Sequence, residues 1–240
     1  MHQTRRAVLK TSGVVNRSPT APECHIGRFA CTLSVPACAK ALKEGDNPIL
    51  LTDFSPTVSL ENASLDASPS GPKLRVLMVC MGNICRSPTA EAVLRQKLLQ
   101  TGLDALVEVD SAGTLGSHVG SPPDDRSQMH ALRRGYKLNH LRARKVQQSD
   151  FHQFDLILAM DWDNLAALQK NCPGVEAQSK LRRLTEFIPA RSPLLGSEVV
   201  GDPYYGGPDG FEAVLDLVES ACEGLVDHLH QRLRAMAARP

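Results

Sequence analysis

The chain has 240 residues, enough for one domain of ordinary size plus an appendage. Its net charge of +1 gives no electrostatic reason to expect nucleic acid as an obligatory partner, and no apolar run approaches the roughly 20 residues of a membrane-spanning helix. The 7 cysteines are odd in number, lack C-x-x-C spacing and form no His/Cys cluster of zinc-ligand spacing, so they read as free thiols of a reducing, cytoplasmic compartment.

Residues 1–72 differ from the rest. Stretches such as "NRSPTAPE" and "SLENASLDASPSGPK" are rich in Ser, Pro and Asn and bury too little apolar surface to offset chain entropy. The first twenty residues carry Arg5, Arg6, Lys10 and Arg17 and no acid, which fits a targeting peptide, although Lys10, Asn16 and Arg17 interrupt any apolar region. "FACTLSVPACAKA" (29–41) reads as a short buried segment or a cryptic signal. The whole extension therefore reads as disordered, as targeting, as a misassigned start or as a small structured unit.

A compact domain is expected over 73–240. "LRVLMVC" (74–80) is a continuous apolar run of strand length, the pattern of a buried parallel strand. "TAEAVLRQKLLQ" (89–100) sets Ala92, Val93, Leu94, Leu98 and Leu99 mostly on one helical face, with Gly102 as its stop. Residues 105–113 read as a second strand, 124–135 as a helix closed by Gly135, and "FDLILAM" (154–160) as a third strand. A helix over 161–171 stops at Cys172 and Pro173, 180–187 form a short fourth strand, and 208–236 form one long amphipathic helix. Alternation of strand and helix predicts an α/β fold, a four-stranded parallel sheet with helices on both faces. Ligands of such sheets bind beyond the carboxyl ends of the strands, where Cys80 ends the first.

The turn after that strand, "VCMGNICRSPTAEAV" (79–93), holds a concentration of chemistry. A loop that wraps into a helix aims backbone N–H groups at one point, and the helix N-terminus adds about half a positive charge. Such a place binds a tetrahedral oxyanion. Gly82 permits close approach, Asn83 tolerates the left-handed region, and the planar fork of Arg86 grips two oxygens. Ser87 is a natural N-cap and Pro88 suits a first helical turn. A cysteine in this field becomes a thiolate nucleophile, and the Ser87 hydroxyl is placed to donate to it. Alone, C-x5-R is weak, because Arg follows a Cys at that distance by chance about one time in twenty. A phosphate loop of nucleotide-binding type is excluded, because it needs Lys followed by Ser or Thr after a Gly.

A second cluster, "VGDPYYGG" (200–207), places Asp202 before a proline and next to Tyr204 and Tyr205, in a chain that is only 4% aromatic. It reads as a plain Asp-Pro turn, or as a loop acid that protonates a leaving group between aromatic walls.

Together "VCMGNICRSPTAEAV" and "DPYYGG" resemble the low-molecular-weight protein tyrosine phosphatases in their bacterial-type form, a likeness that runs from about Leu74 to the last helix and includes "DSAGT", "RAR", "FDLILAMD" and "NLAAL". The resemblance implies hydrolysis of phosphotyrosine through a phosphocysteine. It makes Cys80 the nucleophile, Arg86 and the N–H groups of Met81, Gly82, Asn83, Ile84 and Cys85 the phosphate site, and Asp202 the acid and then the base. Asn83 holds the loop shape, Ser87 stabilises the thiolate, Ser111 supports the loop, Cys85 forms a reversible disulfide with Cys80, and Tyr204 and Tyr205 flank the entrance. No metal or organic cofactor, no nucleic acid and no membrane insertion are implied. The partner is a phosphotyrosine-containing protein, with a tyrosine kinase as one candidate.

Two positions depart from the pattern. The rim residue that is aromatic in some members stands here as Ser117, with Leu115 and His118 nearby. The histidine before "AR" is displaced, with His140 one residue early and Leu141 in its place. His118 reads as an ordinary surface histidine. Alternatives on the same fold are a phosphoarginine phosphatase, which resemblance suggests would carry Thr at Ile84, and a thiol-linked arsenate reductase, which would need relay cysteines where only isolated Cys172 and Cys222 stand. A non-catalytic phosphate-binding module is the remaining reading.

Overall fold

A computed structural model describes residues 73–238, so the readings for 1–72 lie outside the described residues. The element order is β1 (Leu74–Cys80), α1 (Arg86–Thr101), β2 (Val107–Gly113), α2 (Asp125–Arg133), α3 (Asp150–Gln153), β3 (Leu156–Ala159), α4 (Trp162–Asn171), α5 (Val175–Gln178), β4 (Leu181–Arg183), a 3-10 turn (Leu184–Phe187) and α6 (Pro208–Ala237). The four strands form one sheet in the order β2-β1-β3-β4. All three pairings are parallel. In register, Cys80 lies opposite Gly113 and Val79 opposite both Ala112 and Ala159.

The period of two along β1 divides the core. Val76, Met78 and Cys80 face the larger cluster, with Val93, Leu94 and Leu98 of α1 and Val214, Val218, Ala221 and Leu225 of α6. Leu77 and Val79 face the other side, against Phe151 of α3, Leu165 and Leu168 of α4 and Ala177 of α5. The sheet is thus covered on both faces, and α6 runs close enough to the 3-10 turn that a Cβ at Gly224 would fall 2.0 Å from the Phe187 carbonyl oxygen. Only a residue without a side chain fits there.

Several boundaries differ from expectation. Helix α1 starts three residues before Thr89, at Arg86, and Cys85 rather than Ser87 is its N-cap, without a side-chain cap. Leu99 is 64% exposed and does not join the core face. Gly102 does stop the helix, with φ +70° and Leu103 N donating to Leu98 O at 2.9 Å. Strand β4 is only three residues long, because the Glu186 carboxylate accepts from Arg183 N at 2.9 Å and turns the chain into the 3-10 segment. Helices α3 and α5, four residues each, were not expected, since one turn carries no readable periodicity.

Candidate active site

Residues 80–86 wrap from β1 into α1. The loop's carbonyls are held on its outer side. Cys80 O accepts from Thr114 N (2.9 Å), Met81 O from Leu115 N (2.9 Å) and Ile84 O from Asp124 N (2.8 Å). The opposite edges of those peptides, their N–H groups, therefore face the loop centre. The end of β2 comes so near that a Cβ on Gly113 would lie 2.7 Å from Met81 O, so this position requires glycine.

Asn83 shapes the loop. It sits at φ +57°, a left-handed conformation that costs most L-residues about 1–2 kcal/mol. Its side chain secures that conformation. Nδ2 donates to Ser87 Oγ and to Ser111 Oγ, both at 2.9 Å, and Oδ1 accepts from Arg144 N at 2.9 Å. Arg144 is itself held, by Asp110 (2.8 Å) and Asp150 (2.9 Å). Inside the loop lies the Cys80 thiol, 3% exposed as a residue. Its Sγ is 3.0 Å from Ser87 Oγ and accepts from Asn83 N at 3.3 Å. Ser87 is thus drawn into this network rather than used as a cap. Cys85 is buried, and desolvation pushes its thiol up to about 12.

Arg86 is 2% exposed. Nη1 donates to Asp161 Oδ2 at 2.5 Å and to Val200 O at 3.2 Å, and Nη2 donates to Asp202 Oδ2 at 2.8 Å. Burial works against its charge, but Cys80, Asp161 and Asp202 prevail and hold its pKa above the ordinary guanidinium value. Asp161 also caps α4, accepting from Asn164 N at 2.6 Å. Sequence reasoning had not placed Asp161 in the site. The available signal was an acid directly after the third strand, at the end of the sheet where ligands bind.

The loop bearing Asp202 forms the opposite wall. Val200 N donates to Met160 O at 2.8 Å, and Tyr204 N to Asp202 Oδ1 at 3.2 Å. Thr185 Oγ1 and Arg183 Nη1 both donate to Glu198 O, at 2.8 and 2.7 Å, and fix the approach to this loop. The Arg183 guanidinium also lies 3.7 Å over the ring of Trp162, whose Nε1 donates to the Glu198 carboxylate at 3.3 Å. Tyr204 and Tyr205 meet edge to face at 5.0 Å, and Tyr205 is 96% exposed.

These elements enclose a cavity of about 200 Å³ whose lining includes Cys80, Ile84, Arg86, Asp202 and Tyr204. Met81, Gly82, Cys85 and Tyr205 also reach it, so among the expected site residues only Asn83, Ser87 and Ser111 stay behind the loop as supports. His118 lines the cavity as well and packs on Gly82, where a Cβ would meet its Cδ2 at 3.0 Å. The rim position is therefore filled by His118 and not by Ser117, which points to solvent. His140 lies in a separate recess with Arg95 and Lys137, and Leu141 packs against the core. Among the described residues no group of His, Cys, Asp and Glu is arranged to hold a metal ion, and no helix is long and apolar enough to cross a membrane.

Chemically, the arrangement joins a thiol with converging N–H donors, a buried guanidinium and a carboxyl group at the mouth. It suits an anion of phosphate size.

Comparison with known proteins points the same way. Residues 75–235 match the family described as low molecular weight phosphotyrosine protein phosphatase. The chain is 45% identical over 165 residues to a low molecular weight protein-tyrosine-phosphatase of Streptomyces coelicolor, covering 68% of this chain and 98% of that one. It is 37% identical over 156 residues to the human low molecular weight phosphotyrosine protein phosphatase, covering 65% and 95%. Among solved structures, a protein tyrosine phosphatase from Entamoeba histolytica with Hepes in the active site superposes with TM-score 0.62 at 39% identity, over 66% of this chain and 98% of that one. YfkJ from Bacillus subtilis gives 0.61 at 37% identity, over 68% and 98%.

Proposed function

The chain belongs to the low molecular weight phosphotyrosine protein phosphatase family and is a protein-tyrosine phosphatase, and from that premise we propose how its residues divide the work. The catalytic unit is 73–240. The observation that carries the reading is the meeting of Cys80 Sγ, Arg86 and Asp202 in one cavity, drawn from chain positions up to 122 residues apart.

The Cys80 thiolate attacks phosphorus in line, supported by Ser87 Oγ and Asn83 N. The bond from phosphorus to the tyrosyl oxygen breaks, its electron pair leaves on that oxygen, and Asp202 supplies the proton. The loop N–H groups of Met81, Gly82, Ile84 and Cys85, with Arg86, take up the charge of the three equatorial oxygens. Asp202, now a carboxylate, accepts a proton from water. The water oxygen bonds to phosphorus, the S–P bond breaks, and phosphate and thiolate are released. Asp161 keeps Arg86 oriented while its other amino group exchanges Asp202 for phosphate oxygen.

The substrate class is the tyrosine-phosphorylated protein, and a tyrosine kinase bearing its own phosphotyrosines belongs to it. A thiolate nucleophile beside a second cysteine requires a reducing compartment, which supports a cytoplasmic setting. Neither phosphoarginine hydrolysis nor arsenate reduction is favoured by the relatives from Streptomyces coelicolor and human, which are described as tyrosine phosphatases.

Rapid mixing of the full chain with p-nitrophenyl phosphate is expected to give a burst of nitrophenol equal to the enzyme concentration, absent in Cys80→Ser. A folded wild type with neither burst nor turnover would refute the scheme. Because Cys80 must be ionised and Asp202 protonated in the first step, the optimum of kcat/KM is expected on the acid side of neutrality, and an optimum near pH 9 (roughly two units above neutrality) would contradict these roles.

A further inference from the structure

Asp202 stands on a loop with little support of its own. From Gly201 to Gly207 only Pro203 is buried. The loop is tied down before Asp202, through Val200, but no backbone bond crosses to it from the phosphate-binding wall on the far side. Besides Arg86, which holds the Asp202 carboxylate itself, a second side chain crosses. Arg126, in the first turn of α2, donates from Nη1 to Tyr204 O at 3.1 Å. Its guanidinium carbon lies 5.4 Å from the centroid of the Tyr204 ring and 4.9 Å from that of Phe211, which is buried in α6. The remaining edge of the fork is occupied by Asp124, with Nε on Oδ1 at 3.0 Å and Nη2 on Oδ2 at 2.8 Å. Asp124 N in turn donates to Ile84 O of the phosphate loop.

The contacts form one continuous strut: Ile84, Asp124, Arg126, Tyr204 and, through the bond from Tyr204 N, the Asp202 carboxylate. A planar guanidinium held on both edges and on its face transmits position with little slack. Half-exposed Arg126 would otherwise read as a surface ion pair with a near neighbour, which contributes little.

We infer that Arg126 is a positioning residue for the acid step, setting the Asp202 carboxyl over the leaving oxygen relative to the loop that holds phosphorus. The inference rests on the assignment of Asp202 as general acid. It separates from a merely structural role through the leaving group. Phenol leaves poorly and depends on protonation, whereas p-nitrophenol leaves well and depends on it less. Since kcat/KM reports the first chemical step, its ratio between p-nitrophenyl and phenyl phosphate measures delivery of the proton. That ratio is taken within one preparation, so any unfolded fraction cancels.

With the full chain, Asp202→Asn is expected to raise this ratio strongly and Arg126→Met to raise it about tenfold, a part of the usual general-acid contribution. The double variant should match Asp202→Asn. Arg126→Lys, which keeps the charge but loses the fork, should behave like Arg126→Met. An Arg126→Met enzyme slowed equally on both substrates, a further rise in the double variant, or full rescue by Lys would each overturn the inference. An unchanged ratio in Asp202→Asn would instead overturn the acid assignment, and the inference with it.

Discussion

Asn83 carries an unusual share of the site's geometry for one amide. Its backbone is in the left-handed region, and its side chain spends all three hydrogen bonds on Ser87, Ser111 and the backbone of Arg144. Asn83→Ala would leave buried partners unpaired, at a cost of about 1–3 kcal/mol, and would release the conformation that aims the amides. Urea unfolding should show that loss, and kcat/KM should fall by at least about tenfold, since misplaced oxyanion donors are costly. Cys85 makes a second prediction. Its thiol, pushed up to about 12, is a poor target for peroxide itself, and its expected part is to close on a Cys80 sulfenic acid, forming the disulfide and releasing water. After a peroxide pulse and dithiothreitol, wild type should recover activity and Cys85→Ser should not. Equal recovery would remove the protective role. Ile84 faces the cavity, and Ile84→Thr should raise turnover of phosphoarginine; no gain would detach this residue from substrate choice. Most of these positions were readable because their residue types are rare in combination: a thiol, Asn83 and Arg86 in one turn. Asp161 and Arg126 were not, because a carboxylate after a strand and an arginine in a helix are ordinary until their partners, 75 and 78 residues away, are known.

The long elements were legible and the short ones were not, for a physical reason. Helix α6 spans 30 residues and repeats its buried positions, Val214, Val218, Ala221, Leu225 and Leu229 among them, at helical spacing. Helices α3 and α5 are single turns stabilised by tertiary contacts, so no repeat exists to read. Leu225→Ala, at a position with no solvent exposure, is expected to cost about 2–5 kcal/mol in chemical unfolding. The start of α2 adds an acid-sensitive joint. Hydrogen bonds from Arg126 hold the Asp124 carboxyl below its ordinary range. A depressed carboxylate contributes stability above its unfolded pKa and loses it as pH falls through the folded value. Stability should therefore decline below about pH 4, and Asp124→Asn should flatten that decline.

At the scale of the molecule, the strand order β2-β1-β3-β4 puts β1 and β3 side by side in the middle of the sheet. Cys80 and Asp161 follow from the ends of these two strands, and Arg86 spans the gap between them. The alternation of strands and helices predicted this parallel sheet, and the cavity lies at the carboxyl ends of its strands, but the alternation did not tell which distant acid would meet Arg86. Because a bound oxyanion draws on β1, α1 and the Asp202 loop together, occupancy should stabilise the domain as a whole. At one hundred times Kd, vanadate or phosphate is expected to add about 2.7 kcal/mol, or roughly 5–10 °C in Tm. Arg86→Ala should abolish the shift.

The sole tryptophan of the chain is Trp162, the residue after Asp161, with a guanidinium on its face and a carboxylate at its indole nitrogen. Indole emission is sensitive to neighbouring charge, and here the neighbouring aspartate grips Arg86, the arginine proposed to bind phosphate. The protein thus carries its own optical gauge. Adding phosphate should change the fluorescence of Trp162 in step with filling of the site, with no label attached, and Arg86→Ala should leave that signal flat.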